Sequence, residues 1–309
     1  MVLTCPHCKK QHNIDEKLIP PNVKKARCKF CGNDFPLHVG PEKQVEVGDA
    51  ILSREKPGPR RISVSLSKGG VGKTTTAVNL AAGLALAGHK VLLVDTDTQG
   101  QSSFMLGINP KAGLTEVVMG ELGPEEAIAQ ARERLWILAG GKSLAGVKRL
   151  IGRRDFGGEL TLSECLSAFD GNYDYIVVDT SPGWDPLTVN ILFYVTEILT
   201  PVSLEVMSIQ GLVEFLKSIA SIQKYRQELA LKYILPTFLD NRVKKSVGIY
   251  EKLKELYGNN VCEPVHYNVR LSEAPAYGQT IYEFAPGSSG ANDYRELIRK
   301  VTGNPKLFR

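Results

Sequence analysis

The sequence predicts an α/β protein, a mostly parallel sheet covered by helices on both faces, with a small cysteine-rich module in front of it. Three observations carry that prediction. Beyond residue 60, short apolar runs of strand length alternate with helical patterns, as parallel strands joined by crossover helices do. A glycine-rich turn links the first of those strands to the first helix. Four of the six cysteines form two C-x2-C pairs within the first 31 residues. A length of 309 residues accommodates one large and one small domain, and 43% hydrophobic with 23% charged residues matches an ordinary buried core.

Taken in order, residues 1–40 hold the cysteine pairs. Residues 41–60, PEKQVEVGDAILSREKPGPR, are polar and proline-bearing with no apolar period, and read as a linker. Residues 61–309 carry the alternation. The strand RISVSLS (61–67) leads to the helix KTTTAVNLAAGLALAG, closed by Gly88, and then to the strand KVLLVDTD (90–97). Strands follow at 133–139, 173–182, 197–203 and 232–240, and the helices include 208–229, 245–257 and 289–302. A sheet of this kind binds ligands at the carboxyl ends of its strands.

No run approaches the roughly 18 apolar residues that span a bilayer, and MVLTCPHCKK lacks an apolar leader core, so a cytoplasmic protein is expected. The net charge of +5, from 38 basic and 33 acidic residues, does not by itself demand a polyanionic partner. Four thiolates on one divalent ion would lower it further, to about +3.

Cys5 and Cys8 are followed, after nineteen residues, by Cys28 and Cys31. Without an export signal this spacing points to a metal rather than to disulfides. Two tight cysteine turns offer a tetrahedron of sulfurs with no open position, which suits a structural zinc ion; iron in a rubredoxin-like site competes because its ligands are the same. With Pro6 after the first cysteine and CGNDF at the end, the segment resembles a zinc ribbon. His7, His12 and His38 read as surface residues, and Cys165 and Cys262 as buried small apolar residues or free thiols. Lys9, Lys10, Lys24, Lys25, Arg27 and Lys29 make the module basic. Docking of a partner or cargo adaptor is the preferred role, ahead of DNA contact or simple stabilisation.

SLSKGGVGKTTT (65–76) places a glycine turn between a strand and a helix that begins at Gly72-Lys73-Thr74. Backbone N–H groups of such a turn approach an anion, the helix terminus adds partial positive charge, Lys73 reaches the β and γ oxygens of a nucleotide, and the Thr74 hydroxyl serves Mg²⁺. Ser67 occupies the first glycine position of the usual phosphate-loop pattern, and a second lysine, Lys68, opens the turn.

KGGVGKTT resembles the deviant Walker A motif of the ParA/MinD family of ATPases, and so implies a P-loop NTPase fold. The resemblance implies that Lys68, Gly69, Gly70, Val71, Gly72, Lys73, Thr74 and Thr75 hold ATP. It further implies a dimer that sandwiches two nucleotides, with Lys68 reaching the partner's phosphates while Lys73 serves its own. VLLVDTDTQGQSS (91–103) is similar to the family's V-D-x-D-P-Q-G segment, with Thr98 in place of the proline. Asp97 would then orient the attacking water or respond to the γ-phosphate, and Asp95 would sit near the magnesium shell. YIVVDTSPG (175–183) looks like a Walker B strand ending in Asp179, which would hold a magnesium-bound water; Ser181 and Gly183 depart from the common D-A-P-P or D-T-P-P.

YNVRLSEAPAYGQTI (267–281) resembles the ParA branch, with His266 and Tyr267 replacing a common proline and arginine. The backbone near Phe238 to Asp240 and near His266 to Asn268 is expected to frame the adenine. In that branch the ATP-bound dimer binds DNA without sequence preference, here through Arg242, Lys244, Lys245 and Arg270; Glu251 and Glu255, interleaved with Lys252 and Lys254, also fit an ordinary solvated helix face. The tail VTGNPKLFR is too short and broken for a membrane helix. The expected function is ATP-dependent positioning of a DNA or protein cargo on the nucleoid, stimulated by a ParB-like partner or a cargo adaptor. A metal-cluster assembly or electron-transfer ATPase, or an ATP-switched regulator acting through the ribbon, are the alternatives.

Overall fold

The computed structural model describes residues 2–14, 25–36 and 58–308. The chain divides into two units, Met1–Lys56 and Pro57–Arg309. Of the stretch read as a linker only residues 58–60 are described, and Lys24 and His38 lie outside the described residues.

The first unit consists of two hairpin-like pairs. Strand β1 (Val2–Thr4) pairs antiparallel with β2 (Gln11–Asn13), and β3 (Lys25–Arg27) with β4 (Asp34–Pro36). Each pair is joined through one C-x2-C turn, so the cysteines lie at the turn end of both.

The second unit is built on eight strands: β5 (Arg60–Val64), β6 (Val91–Asp95), β7 (Ile128–Arg132), β8 (Leu135–Leu138), β9 (Tyr175–Asp179), β10 (Glu197–Ser203), β11 (Ala230–Leu239) and β12 (Val265–His266). Their spatial order is β12-β11-β10-β5-β9-β6-β8-β7, and every neighbouring pair is parallel except the antiparallel edge pair β7–β8. Helices α1 (Lys73–Leu86), α2 (Gln101–Met105), α3 (Leu114–Met119), α4 (Pro124–Ala127), α5 (Leu144–Gly152) and α6 (Thr161–Leu166) alternate with the first strands. They are followed by α7 (Pro186–Tyr194), α8 (Val206–Gln223), α9 (Lys244–Tyr257), α10 (Val269–Glu273), α11 (Ile281–Phe284) and α12 (Ser289–Thr302).

Strands buried on both faces read as continuous apolar runs, and their alternate residues divide between two layers. Val91 and Leu93 of β6 pack with Val78, Leu80 and Leu84 of α1 and Leu297 and Ile298 of α12. Leu92 and Val94 face the other way, into a layer with Leu187 and Ile191 of α7 and Phe215 and Ile219 of α8. Helix α8 ends at Gln223, earlier than the periodicity suggests: the Gln223 side chain donates to the Leu229 carbonyl (2.8 Å), turning the chain into β11. Among the described residues no helix is long and apolar enough to cross a membrane.

Candidate active site and metal centre

Strand β5 runs into the glycine turn at the carboxyl edge of the sheet, and buried Leu66 and Val71 anchor the turn at both ends. Gly70 (φ +73°) and Gly72 (φ +86°) are left-handed, a conformation that Cβ-bearing residues resist. Gly72 precedes α1, whose first turn carries no acidic residue to compete with an anion. Lys73 is buried, and its Nζ donates to the Lys68 carbonyl at 2.7 Å, so the turn closes around its own lysine. Burial pushes the Lys73 ammonium below the usual lysine range, opposed by Asp179 and Asp97.

A cavity of about 270 Å³ opens over this turn, lined by Gly69, Gly70, Gly72, Lys73, Thr74, Thr75, Asp97 and Pro182. Lys68 is not among its lining residues. Its Nζ donates instead to Ser208 Oγ (2.8 Å) at the start of α8 and lies 3.5 Å from Glu205 Oε2. The two lysines of the motif therefore occupy different places: one within the phosphate cavity, the other turned toward α8.

The strand-end aspartates stand side by side, because Asp95 of β6 and Asp179 of β9 are register partners. Both are fully buried. Asp95 spends both oxygens on backbone, accepting from the Asp97 N–H (2.9 Å) and the Ser102 N–H (3.1 Å). Burial nevertheless pushes its carboxyl up to about 6. Asp179 Oδ2 accepts from Ser102 Oγ (3.0 Å), and Oδ1 has no partner among the described residues. Burial and the neighbouring Asp95 raise the Asp179 carboxyl well above the aspartate range, while Thr74 and Ser102 oppose the rise. An orphaned carboxylate oxygen beside a threonine hydroxyl suits a hard, oxygen-seeking cation such as Mg²⁺. Asp97 uses Oδ1 to accept from the Gln99 N–H (2.9 Å) and borders the cavity.

A second cavity, of about 230 Å³, shares Gly72 and Thr75 with the first and is walled by Phe238, His266, Tyr267 and Asn268. Thr237 Oγ1 donates to the Val71 carbonyl (3.0 Å), which pins β11 to the glycine turn. Phe238, at φ +59°, is bent into a conformation unusual for an aromatic residue, and a Cβ on Gly72 would lie 3.6 Å from its ring. His266 is held by Asp293, at 3.1 Å from Nδ1, and Asn268 caps α10 through the Arg270 N–H (2.9 Å). Asp240 does not line this cavity; its carboxylate is gripped by Arg242 (2.7 and 2.9 Å), which holds it down to about 2.

Arg242 follows β11 and Arg270 lies in α10 after β12, so both leave the same edge of the sheet at its carboxyl end. Both are exposed and each is already paired, Arg270 with Glu273 at 2.9 Å. Lys244 and Lys245, at the start of α9, are exposed and carry no ion pair among the described residues. Farther along α9, Lys252 pairs with Glu255 and Lys254 with Glu263.

In the first unit the four cysteine sulfurs lie within 4.8 Å of one another. Cys5 and Cys31 are 3.7 Å apart and Cys8 and Cys28 3.5 Å; a tetrahedron of Zn–S bonds has edges of about 3.8 Å. Without a cation four crowded thiols cannot all ionise. Although the Lys10 N–H favours its thiolate, burial and the neighbouring thiols push Cys8 up to about 12. Against the cost of burial, the Cys31 and Phe30 N–H groups with Cys8 and His12 bring Cys28 down to about 5. The donor set fits zinc.

Sequence reasoning missed several partners. His12, read as a surface residue, places Nε2 3.2 Å from Cys28 Sγ. Ser102, Ser208 and Glu205 hold functional side chains across long stretches of chain, and no local pattern marks them.

A parallel sheet with a glycine turn, a buried lysine and paired strand-end aspartates defines a phosphate-loop nucleotide-binding protein. A family model described as AAA domain matches residues 59–231, and one described as zinc-ribbon domain matches residues 1–36. The sporulation initiation inhibitor protein Soj of Bacillus subtilis is 36% identical over 251 residues, covering 79% of this chain and 98% of that protein. The chromosome-partitioning ATPase Soj of Thermus thermophilus is 36% identical over 244 residues, covering 78% and 95%. Cobyrinic acid a,c-diamide synthase from Mycobacterium smegmatis, solved with a bound ATP analog and magnesium, superposes with a TM-score of 0.70 at 30% identity, over 81% of this chain and 97% of that one. The chain belongs to the Soj/ParA family of ATPases and carries a zinc ribbon ahead of the ATPase unit.

Proposed function

We propose that this protein is an ATP-dependent positioning protein that dimerises around ATP, binds DNA without sequence preference and releases it on hydrolysis, stimulated by a partner carried on a DNA or protein cargo. The protein is an ATPase that uses magnesium, and zinc holds its ribbon. The proposed organisation is a ribbon over 1–40, a linker over 41–60 and the ATPase domain over 61–309, working in the cytoplasm on nucleoid DNA.

The single observation that carries this reading is the division between the two lysines. Lys73 lines the phosphate cavity, whereas Lys68 does not and reaches Ser208 and Glu205. A cation outside its own cavity can serve a neighbouring molecule's phosphates once it exchanges Ser208 and Glu205 for them, and there it stabilises developing charge only after two chains have closed. Hydrolysis then depends on association.

Within one chain, Gly69 to Thr75 cradle the triphosphate, Asp97 orients the attacking water, and His266 and Asn268 with Phe238 frame the base, while Asp240, outside that cavity, holds Arg242. Thr74, Asp95 and Asp179 hold Mg²⁺, which draws charge off the phosphate oxygens when bound. Arg242, Lys244, Lys245 and Arg270 meet DNA phosphates; Arg242 and Arg270 must exchange Asp240 and Glu273 for them, so their net contribution is small and a dimer's doubled surface supplies avidity.

Lys68→Ala tests the reading. It should bind ATP within about threefold of wild type yet lose ATP-dependent dimerisation and at least about tenfold in phosphate release. Lys73→Ala should lose ATP binding itself. Unchanged turnover and dimerisation in Lys68→Ala would remove the crossed role.

A further inference from the structure

The segment between β8 and α6 has no part in holding nucleotide, yet it touches both acidic loops of the site. Its glycine turn lies against the first: a Cβ on Gly140 would sit 2.7 Å from the Asp95 carbonyl and 2.8 Å from that of Asp97, so no larger residue fits. The Gly141 N–H donates to the Asp97 carbonyl at 3.0 Å. Helix α5 begins three residues later and is fixed by buried Leu144, Val147 and Ile151.

From α5, Lys148 reaches the second loop. Its Nζ lies 2.6 Å from Asp185 Oδ2, and both side chains are about three-quarters buried. The same oxygen accepts from Ser181 Oγ (3.2 Å), and Asp185 Oδ1 caps α7 by accepting from the Thr188 N–H (2.9 Å). Burial works against the Asp185 carboxylate, but Lys148, the Thr188 N–H and Ser181 hold it below the usual aspartate range. Ser181 is itself buried and is followed by Pro182, which walls the phosphate cavity and lies 3.8 Å from where a Cβ on Gly69 would be. A proline at position 181, as in D-T-P-P, would have no hydroxyl to give.

We propose that Lys148 is a positioning residue for ATP turnover: through Asp185 and Ser181 it ties the Pro182 wall of the phosphate cavity to the same element that braces Asp97. The two loops flanking the transferred phosphoryl group then keep one relative placement. Small displacements of positioned groups cost rate far more than affinity, because the ground state tolerates them and the transition state does not. This role presupposes the ATP turnover proposed above.

Steady-state phosphate release and ATP binding by the full chain test it. Lys148→Met should lower kcat about tenfold while KM for ATP stays within about twofold. Lys148→Arg, which keeps the charge and the reach, should recover kcat to within about threefold of wild type. An unimpaired kcat in Lys148→Met, or a loss in Lys148→Arg as large as in Lys148→Met, overturns the role. Should Lys148→Met fail to fold, Ser181→Ala carries the test, since it leaves the ion pair and the helix cap in place: a lowered kcat at constant KM supports the role, and wild-type kinetics overturn it. A wild-type chain that releases no phosphate overturns the ATPase reading and this role with it, whereas an active wild type beside an unimpaired Lys148→Met overturns this role alone.

Discussion

In the ribbon the buried apolar cluster among the described residues is Cys5, Cys28 and Phe35, with Cys8 and Ala26 against it. In the ATPase unit two layers of aliphatic and aromatic side chains cover both faces of an eight-stranded sheet. A segment as small as the first cannot offset its chain entropy by burial, so its cation must supply most of the folding free energy. The second buries enough apolar surface to fold without a metal, and within it Lys73, Asp95 and Asp179 are buried at the site. The same protein thus uses one metal to make a fold and another to complete a site. That difference sets what each metal's removal should do.

The largest expected effect is on the ribbon. Structural zinc in small modules contributes on the order of 10 kcal/mol at neutral pH, so a strong chelator should unfold the ribbon outright. Metal analysis should find about one zinc per chain before treatment. Cys28→Ser combined with Cys31→Ser should have the same consequence, and in both cases the main melting transition of the ATPase unit should stay in place. A ribbon that keeps its amide dispersion without metal would break the contrast between the two units.

The contrast also separates what could be read in the sequence from what could not. The cysteine turns, the glycine turn and the strand-end aspartates are contiguous patterns whose spacing is fixed by local geometry, so they were legible. The strand EILTPVS and the helix 289–302 coincide with β10 and α12 for the same reason. Edge strands carried no such signal: β12 has two residues, and β7 pairs antiparallel on the rim, where half-buried residues show little period. The partners of the site residues were illegible because tertiary packing alone brings them together. Ser102 meets Asp179 across 77 positions and Lys68 meets Ser208 across 140. His12, read as a surface residue, is half-buried and meets Cys28 of the other cysteine turn across 16 positions, a contact no local pattern marks.

A smaller effect is expected from the buried aspartates of the ATPase unit. Their carboxyls are raised in the folded state, that of Asp95 from 3.8 to about 6 and that of Asp179 well above the aspartate range, by burial first and then by the neighbouring Asp95. Between the ordinary and the raised values the folded chain binds more protons than the unfolded one. The apo ATPase unit should therefore lose stability as pH rises through that window and be least helped by these groups at neutral pH. Asp179→Asn removes one of the two like charges and should stabilise the apo unit at pH 7 by on the order of 1 kcal/mol, with a shallower dependence on pH. The same variant should lose the extra stability that magnesium and ATP give the wild type. Thermal melts between pH 4 and 7.5, with and without the ligands, check both; an unchanged slope would mean that the pair is discharged by something other than protonation.

The smallest effect concerns the ribbon's two cysteine turns, which share one hydrogen-bond pattern. The Lys9 N–H donates to the Cys5 carbonyl (2.9 Å) as the Gly32 N–H does to that of Cys28 (3.0 Å), and the Cys5 and Cys28 N–H groups donate in return to the Lys10 and Asn33 carbonyls at 3.0 and 2.9 Å. The residue after the second cysteine is left-handed in both, at φ +58° for Lys9 and +75° for Gly32. Only the glycine adopts that conformation without steric cost, which for other residues is about 1 kcal/mol. Lys9→Gly should therefore tighten zinc retention, but by less than about fivefold, because glycine also gives the unfolded chain more freedom to lose. Competition with a zinc-binding dye measures it. If Lys9→Gly instead weakens zinc, the ammonium group must itself be easing the charge of four gathered thiolates, and the first turn would owe to electrostatics what the second owes to backbone geometry.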